Sequence, residues 1–181
     1  MTQRVDVAAN RAARKYDALT QVKRVLWALC WPLFRLSPRP MWGWRVWILR
    51  AFGAQVGRGV HVYPSARITM PWHLRLADEV AIGDRAILYA LDVITIGARA
   101  TVSQYAHLCT GSHDLGDPAR ALKTAPIMIG ADAWVCADAF VGPGVQIGKS
   151  AVLGARAVAF KALPDRCVGI GNPMQIRSRH D

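Results

Sequence analysis

The sequence is short of the parts from which metal centres, disulfide frames and membrane spans are built. Its four cysteines, Cys30, Cys109, Cys136 and Cys167, form no C-x-x-C pair, so neither a zinc site nor a disulfide scaffold is suggested, and a reducing cytoplasm is the expected compartment. No apolar run approaches the ~20 residues that a spanning helix needs; the best, Val25 to Leu36, is interrupted by Pro32 and Arg35. The first residues lack the apolar stretch of a secretory signal. Acids are scarce as well, 12 against 23 Lys and Arg, for a net charge of +11. That excess is concentrated in the N-terminal third, where residues 1–58 hold eleven basic side chains and two acidic ones, against twelve and ten over residues 59–181. The basic third contains no nucleic-acid reader motif, and its charges are interleaved with tryptophan and leucine, more in the manner of a membrane-surface segment. With 181 residues and 52% hydrophobic composition, the chain is long enough for one sizeable core and no second full domain is expected.

What is present is a period. From Val56 an aliphatic residue recurs every six positions: Val56, Val62, Ile68, then Leu76, Ile82, Leu88, then Ile96, Val102, Leu108, then Ile129, Val135, Val141, and last Ile147, Leu153, Ala159. The positions four residues further on are small or β-branched, among them Val60, Ala66, Ala86, Ala106, Ala139 and Ala157. A sustained short period marks a solenoid rather than ordinary helices or sheets. Two extra residues separate Ile68 from Leu76 and Leu88 from Ile96, and a long gap covering 113–128 separates Leu108 from Ile129. Interruptions at every third hexad predict a triangular coil of three hexads, about 18 residues, with insertions leaving from one corner only. Loops on a rigid scaffold are where function is to be sought.

The sequence resembles the hexapeptide-repeat acyltransferases over about residues 50–177. Within them it is most similar to sugar O-acetyltransferases of the maltose and galactoside type and to colanic-acid-type exopolysaccharide acetyltransferases. The residues that carry this are Ser37-Pro38-Arg39-Pro40, Gly53-Ala54, the run from Leu108 to Asp114, and Gly171-Asn172-Pro173. The resemblance implies a mainly β chain: a left-handed parallel β-helix of about five coils over 53–163 with a protruding loop at 113–128, preceded by a basic helical, Trp-rich segment at 1–52 and followed by a tail at 164–181. It also implies acetyl-CoA as cosubstrate without a metal, a saccharide acceptor, free or lipid-linked, and a homotrimer with its acetyl-transfer sites between subunits.

O-acetyl transfer needs a base for the acceptor hydroxyl, and an imidazole, titrating at about 6.5 when unperturbed, suits the task. His113 stands where the chain departs into the long loop, and in similar enzymes the histidine at this place is the base; Asp114 or Asp117 could orient its ring. His61, His73 and His180 have no comparable setting. His107 precedes His113 by one hexad and therefore points along a different side, so the two cannot easily share a ligand, as a γ-type carbonic anhydrase would require. Cys109 occupies a place that glycine holds in most hexads, which favours a structural thiol over a covalent nucleophile. The resemblance places Trp134, Ala137, Ala155 and Lys161 at cofactor contacts, with Arg177 and Arg179 as further phosphate partners; Gln175 and Phe160 depart from the usual arginine and threonine. Arg85 and Asp92, on the coil before His113, are the candidate acceptor contacts.

Two other readings compete. The β-helix could be a non-catalytic trimeric scaffold, distinguishable by failure to bind immobilised CoA. Residues 20–50, which hold Trp27, Trp31, Trp42, Trp44 and Trp47 among six Lys and Arg, could associate peripherally with the cytoplasmic membrane face or could instead cap the first coil.

Overall fold

The hexads close into a parallel β-helix in the computed structural model, which describes residues 5–178; Arg179 and His180 lie outside the described residues. The first side stacks Gln55–Val56, Leu74–Leu76, Ile94–Ile96, Ile127–Ile129 and Gln146–Ile147. The second carries His61–Val62, Ala81–Ile82, Thr101–Val102, Trp134–Val135, Val152–Leu153 and Cys167–Ile170 in parallel, and Gln175–Ser178 then turns back antiparallel. The third stacks Arg67–Ile68, Ile87–Tyr89, His107–Cys109, Phe140–Val141 and Val158–Ala159. Five coils are complete, and a sixth is begun by Leu163, bridged to Ile147, and by Cys167–Ile170.

The register follows the six-residue period. Val62 pairs with Ile82 and Ile82 with Val102, so that like positions stack coil upon coil. Every repeating aliphatic from Val62 to Ala159 is buried, and Val56, at the end of the stack, is half-buried. The small residues four positions on are buried too, because they fill the corners of a narrow prism. Glycine after the aliphatic has a steric cause. A Cβ at Gly97 would come within 2.5 Å of the Ala131 amide nitrogen, and one at Gly130 within 2.5 Å of that of Lys149. Two positions further the chain turns through left-handed backbone, as at Glu79, Arg99, Asp132 and Arg156.

Three helices precede the first coil: α1 (Val7–Ala12), α2 (Ala18–Arg35) and α3 (Trp42–Ala51). Asp17 caps α2 by accepting from the Thr20 amide at 2.6 Å. Ladder bonds run both ways between coils, from Gly57 N to Leu76 O and from Glu79 N back to Arg58 O, and successive residues of a strand alternate in direction, so that the carbonyls of Val56, Val62 and Ile68 face the open N-terminal end. Unpaired strand edges there would invite aggregation. Each side has one inward-register carbonyl at this end, and each receives a side-chain donor from the helices. Arg50 donates to Val56 O at 2.6 Å, Arg45 to Val62 O at 2.6 Å, and Trp27 Nε1 to Ile68 O at 2.8 Å. The opposite end is closed by backbone: the amides of Gly148, Gly154 and Val158 donate to Leu163, Gly169 and Gly171.

The segment at 113–128, expected as a loop, is an antiparallel two-stranded arm. Gly111–His113 pairs with Leu122–Thr124, His113 opposite Leu122, and the turn lies between them. Two extended stretches joined by a short connection satisfy their backbone groups on each other, which an open loop could not do.

Candidate active site

His113 ends the outgoing strand of the arm with its side chain exposed. Its Nδ1 lies 2.6 Å from the carbonyl oxygen of Arg120, across the arm's turn. A carbonyl only accepts, so Nδ1 carries the hydrogen and the neutral ring keeps its lone pair on Nε2. The same carbonyl receives Asn10 Nδ2 at 3.2 Å, and Asn10 also donates to Ala119 O at 2.6 Å. The Asp6 amide donates to Pro118 O at 2.8 Å. Helix α1 is thereby clasped to the arm's turn, and Val5, Val7, Asn10, His113 and Arg120 line a cavity of about 380 Å3. A larger cavity, of about 600 Å3, lies among Asn10, Arg14, Lys15, Tyr16, Asp117 and Leu122. Burial and the nearby Tyr89 push the Tyr16 hydroxyl above its ordinary pKa.

Neither acid expected to steer His113 reaches it. Asp114 accepts from Lys123 Nζ at 2.8 Å and from the Gly116 amide at 2.9 Å, and the Lys123 hydrogen bond holds its carboxyl below the usual range. Asp117 accepts from the Ala119 and Ala121 amides. Both carboxylates shape the arm, because successive amides in a tight turn need acceptors. Asp114 therefore supports the arm rather than the imidazole.

The remaining candidates fall into separate groups. Asp92 occupies the same corner as the arm, one coil earlier; its carboxylate accepts from the Val93 amide at 2.7 Å and its own amide donates to Thr110 Oγ1 at 2.9 Å. Arg85 stands at the corner between the second and third sides and donates to the Tyr105 hydroxyl at 3.1 Å, so within one chain it does not join Asp92 and His113. Trp134 lies exposed on the second side, its Nε1 donating to Ser103 Oγ at 2.7 Å. In register with it run Val152, Val168 and Arg177. Three strand spacings separate the backbone of Trp134 from that of Arg177, about 14 Å. Ala137 and Ala155 occupy the adjoining corner, the Arg156 amide donating to Ala137 O at 3.0 Å. Lys161 is exposed, but it follows the third side and so sits at the arm's corner rather than beside Trp134.

Cys109 is half-buried, and its Sγ donates to the Gly111 carbonyl at 3.3 Å. A thiol held as a donor is not poised as a nucleophile, so Cys109→Ala is expected to retain activity within about threefold; abolished turnover in a folded variant would restore covalent catalysis. His107 packs edge-on against Phe140 with its Nε2 buried and unpartnered, and burial pushes its pKa down. It does not meet His113, and among the described residues no cluster of His, Cys, Asp and Glu is placed to hold a metal.

No protein-family profile matches the chain. Among curated proteins it is 46% identical over 154 residues to WcaF of Escherichia coli, provisionally named a colanic acid biosynthesis acetyltransferase, covering 84% of this chain and 85% of that one. The chain belongs to the hexapeptide-repeat acetyltransferases. Solved structures at lower identity share the fold. A maltose O-acetyltransferase from Clostridium difficile superposes with a TM-score of 0.84 at 21% identity, covering 99% of both chains. A hexapeptide-repeat acetyltransferase from Vibrio cholerae, complexed with acetyl-CoA, gives 0.83 at 22% identity over 93% of both chains.

Asn10 and the Arg120 carbonyl escaped sequence reasoning. Their contact spans 110 residues, and a backbone acceptor leaves no residue-type signature. Asn10 and the His113 ring thus share one acceptor, the Arg120 carbonyl. Asn10→Ala is expected to lower kcat about three- to tenfold, the worth of one hydrogen bond, with KM for the acyl donor unchanged. Unaltered kcat in steady-state kinetics would remove Asn10 from the site.

Proposed function

We propose that the protein transfers an acetyl group from acetyl-CoA to a saccharide hydroxyl, with His113 as general base, in exopolysaccharide or lipid-linked saccharide synthesis. The observation that carries this reading is the single-tautomer imidazole on the arm, whose Nε2 is left free to accept a proton. Nε2 takes the acceptor's proton as its oxygen attacks the thioester carbonyl carbon. The carbon–sulfur bond then breaks, and the imidazolium returns the proton to the departing sulfur. The Arg120 carbonyl accepts from Nδ1–H throughout and so holds the ring in one orientation.

The row from Trp134 to Arg177 suits an elongated donor with an anionic end, since an exposed indole face, two small aliphatics and a guanidinium succeed one another along it. Ala137 and Ala155 leave the neighbouring corner open to a pantetheine arm. This row lies on the second side, whereas His113 leaves from the corner after the third. One chain therefore does not unite base and donor groove, which supports a homotrimer in which His113 of one subunit faces the groove of the next. Lys161, at the arm's corner, would meet the donor from the subunit that supplies the base. The acceptor would enter beside α1, where the two cavities share Asn10 and the larger is lined by Arg14, Lys15 and Asp117.

A thiol-release assay with acetyl-CoA across free sugars, nucleotide sugars and polyprenyl-diphosphate-linked saccharides tests the proposal. CoA release that depends on one acceptor class is the expected result. Binding to immobilised CoA without release against any saccharide would overturn it, and failure to bind CoA at all would favour the scaffold.

A further inference from the structure

Helix α2 has two apolar faces and the protein uses only one. Trp27 and Phe34 are buried against the first coil with Cys30 and Trp31 packed beside them. On the opposite face Leu19, Val22, Leu26, Leu29, Leu33 and Leu36 recur at alternating spacings of three and four, all exposed, Leu29 at 72% and Leu36 at 80%. At the C-terminal end of this stripe Trp44 donates from Nε1 to Leu33 O at 3.1 Å and stacks on Trp47 with ring centres 5.3 Å apart; Trp47 is 60% exposed. Soluble proteins rarely expose a contiguous apolar patch beyond a few hundred Å2 unless something covers it.

The charge around the patch decides what covers it. From residue 18 to residue 77 the chain has no acidic residue and nine basic ones; Arg35 is exposed at the end of α2, while Lys23 and Arg39, also exposed, reach back over the rings of Trp72 and Tyr63 at 5.8 and 4.5 Å. Pairing the face with itself across a two-fold axis would offer these cations only the carboxylate of Asp17 from either helix, and it already caps α2 by accepting from the Thr20 amide. An anionic bilayer supplies the missing charge and accepts the leucines at the same time. Helix α2 is not long and apolar enough to cross a membrane, so such a helix would lie in the plane of the interface. Indole rings favour the headgroup boundary, where Trp44 and Trp47 would then sit.

We propose that the outer face of α2, together with the stacked pair Trp44 and Trp47, docks the protein on an anionic lipid surface. It deepens the reading above by placing the enzyme where a lipid-linked acceptor is carried, but binding itself does not depend on acetyl transfer. The surface is narrower than the tryptophan content of residues 20–50 suggested. Trp27 is spent on capping Ile68, Trp42 stacks on His61, and Arg45 is buried, so none of the three is available to lipid.

The test is flotation of the full-length protein with phosphatidylglycerol–phosphatidylcholine vesicles and with phosphatidylcholine alone, at low and high salt. The comparison variant, L29E/L33E, leaves the capping donors Trp27, Arg45 and Arg50 untouched; circular dichroism and light scattering verify its fold and mass. The wild type is expected to float only with the anionic vesicles at low salt, and the variant's bound fraction to fall at least about tenfold. A wild type that stays at the bottom of the gradient overturns the proposal, as does a variant that floats equally well. So does a variant whose only change is a smaller mass in light scattering, which would make the face a subunit contact. None of these readouts uses acetyl-CoA, so an inactive protein that still floats would disprove the proposed reaction and leave the surface standing.

Discussion

His113→Ala is expected to lose about 10²–10⁴-fold in kcat, the usual cost of removing a general base, while keeping its oligomeric mass and its affinity for CoA. The structure separates the chemical effect from a folding effect. The side chain is exposed on the arm, and the polar contact made by its ring is the one to the Arg120 carbonyl. That carbonyl still receives Asn10 at 3.2 Å after the ring is gone, and the Lys123–Asp114 bridge at 2.8 Å still closes the arm. Little stability therefore depends on His113, and the loss should appear in turnover alone. The measurement is steady-state thiol release with the best acceptor, together with donor binding by calorimetry. Wild-type turnover in the folded variant would mean that the proton is taken by another group. A variant that also fails to bind CoA would place His113 in the donor groove instead.

The fold was legible because the prism imposes a chemical rule on every sixth residue. A residue such as Val62, Leu88 or Val141 is completely buried, and a polar side chain there would have no partner, so the period is written in residue types. The corner at which the coils are interrupted was legible for the same reason, since an insertion shifts the phase of the register. The arm's pairing was not. Gly111–His113 and Leu122–Thr124 are three residues each, too short for alternation to separate a strand from a loop. His113 could be picked out as a candidate from its place, but its tautomer could not, because a backbone oxygen sets it. Asp114 looked like the natural partner of His113 by adjacency, yet neighbours in a strand point to opposite faces, and Lys123 stands across the arm to receive the carboxylate. The basic N-terminal third misled in another way. Composition counts Arg45 as surface charge, whereas it is completely buried, and both it and the exposed Arg50 are donors to the end of the solenoid. Capping of this kind is set by three-dimensional proximity to carbonyls and has no sequence period.

Arg45→Met is expected to destabilise the fold by about 2–4 kcal/mol and to lower its melting temperature by roughly 10 °C. Arg45 is completely buried, and burial pushes its pKa below the ordinary arginine value without a carboxylate to offset the cost. Its stability comes from oxygen acceptors. Nε donates to Val62 O at 2.6 Å, Nη1 to Ser37 Oγ and Pro38 O at 2.9 Å, and Nη2 to Arg39 O at 2.6 Å; the guanidinium also lies 4.7 Å from the centre of the Trp42 ring. Replacing a buried charge by an apolar group of similar volume is often neutral, because the desolvation cost disappears with the charge. Here the opposite should hold, because the acceptors stay behind. Pro38 and Arg39 are exposed and water can take over their carbonyls, and the Ser37 hydroxyl still donates to Phe34 O at 2.7 Å, whereas the Val62 carbonyl is buried and keeps no donor at the solenoid's end. Each buried group left unmatched costs about 1–3 kcal/mol, and the lost cation–π contact adds about 1 kcal/mol. Arg45→Lys should fall between the two, since one ammonium reaches fewer of the dispersed oxygens than a planar guanidinium. Arg50→Met makes the control: that side chain is exposed, water can replace it at Val56 O and Gly57 O, and its cost should be within about 1 kcal/mol. Thermal unfolding followed by circular dichroism ranks the three variants. If Arg45→Met melts within about 2 °C of the wild type, the N-terminal helices do not hold the first coil through this residue, and the capping account of the solenoid's end fails with it.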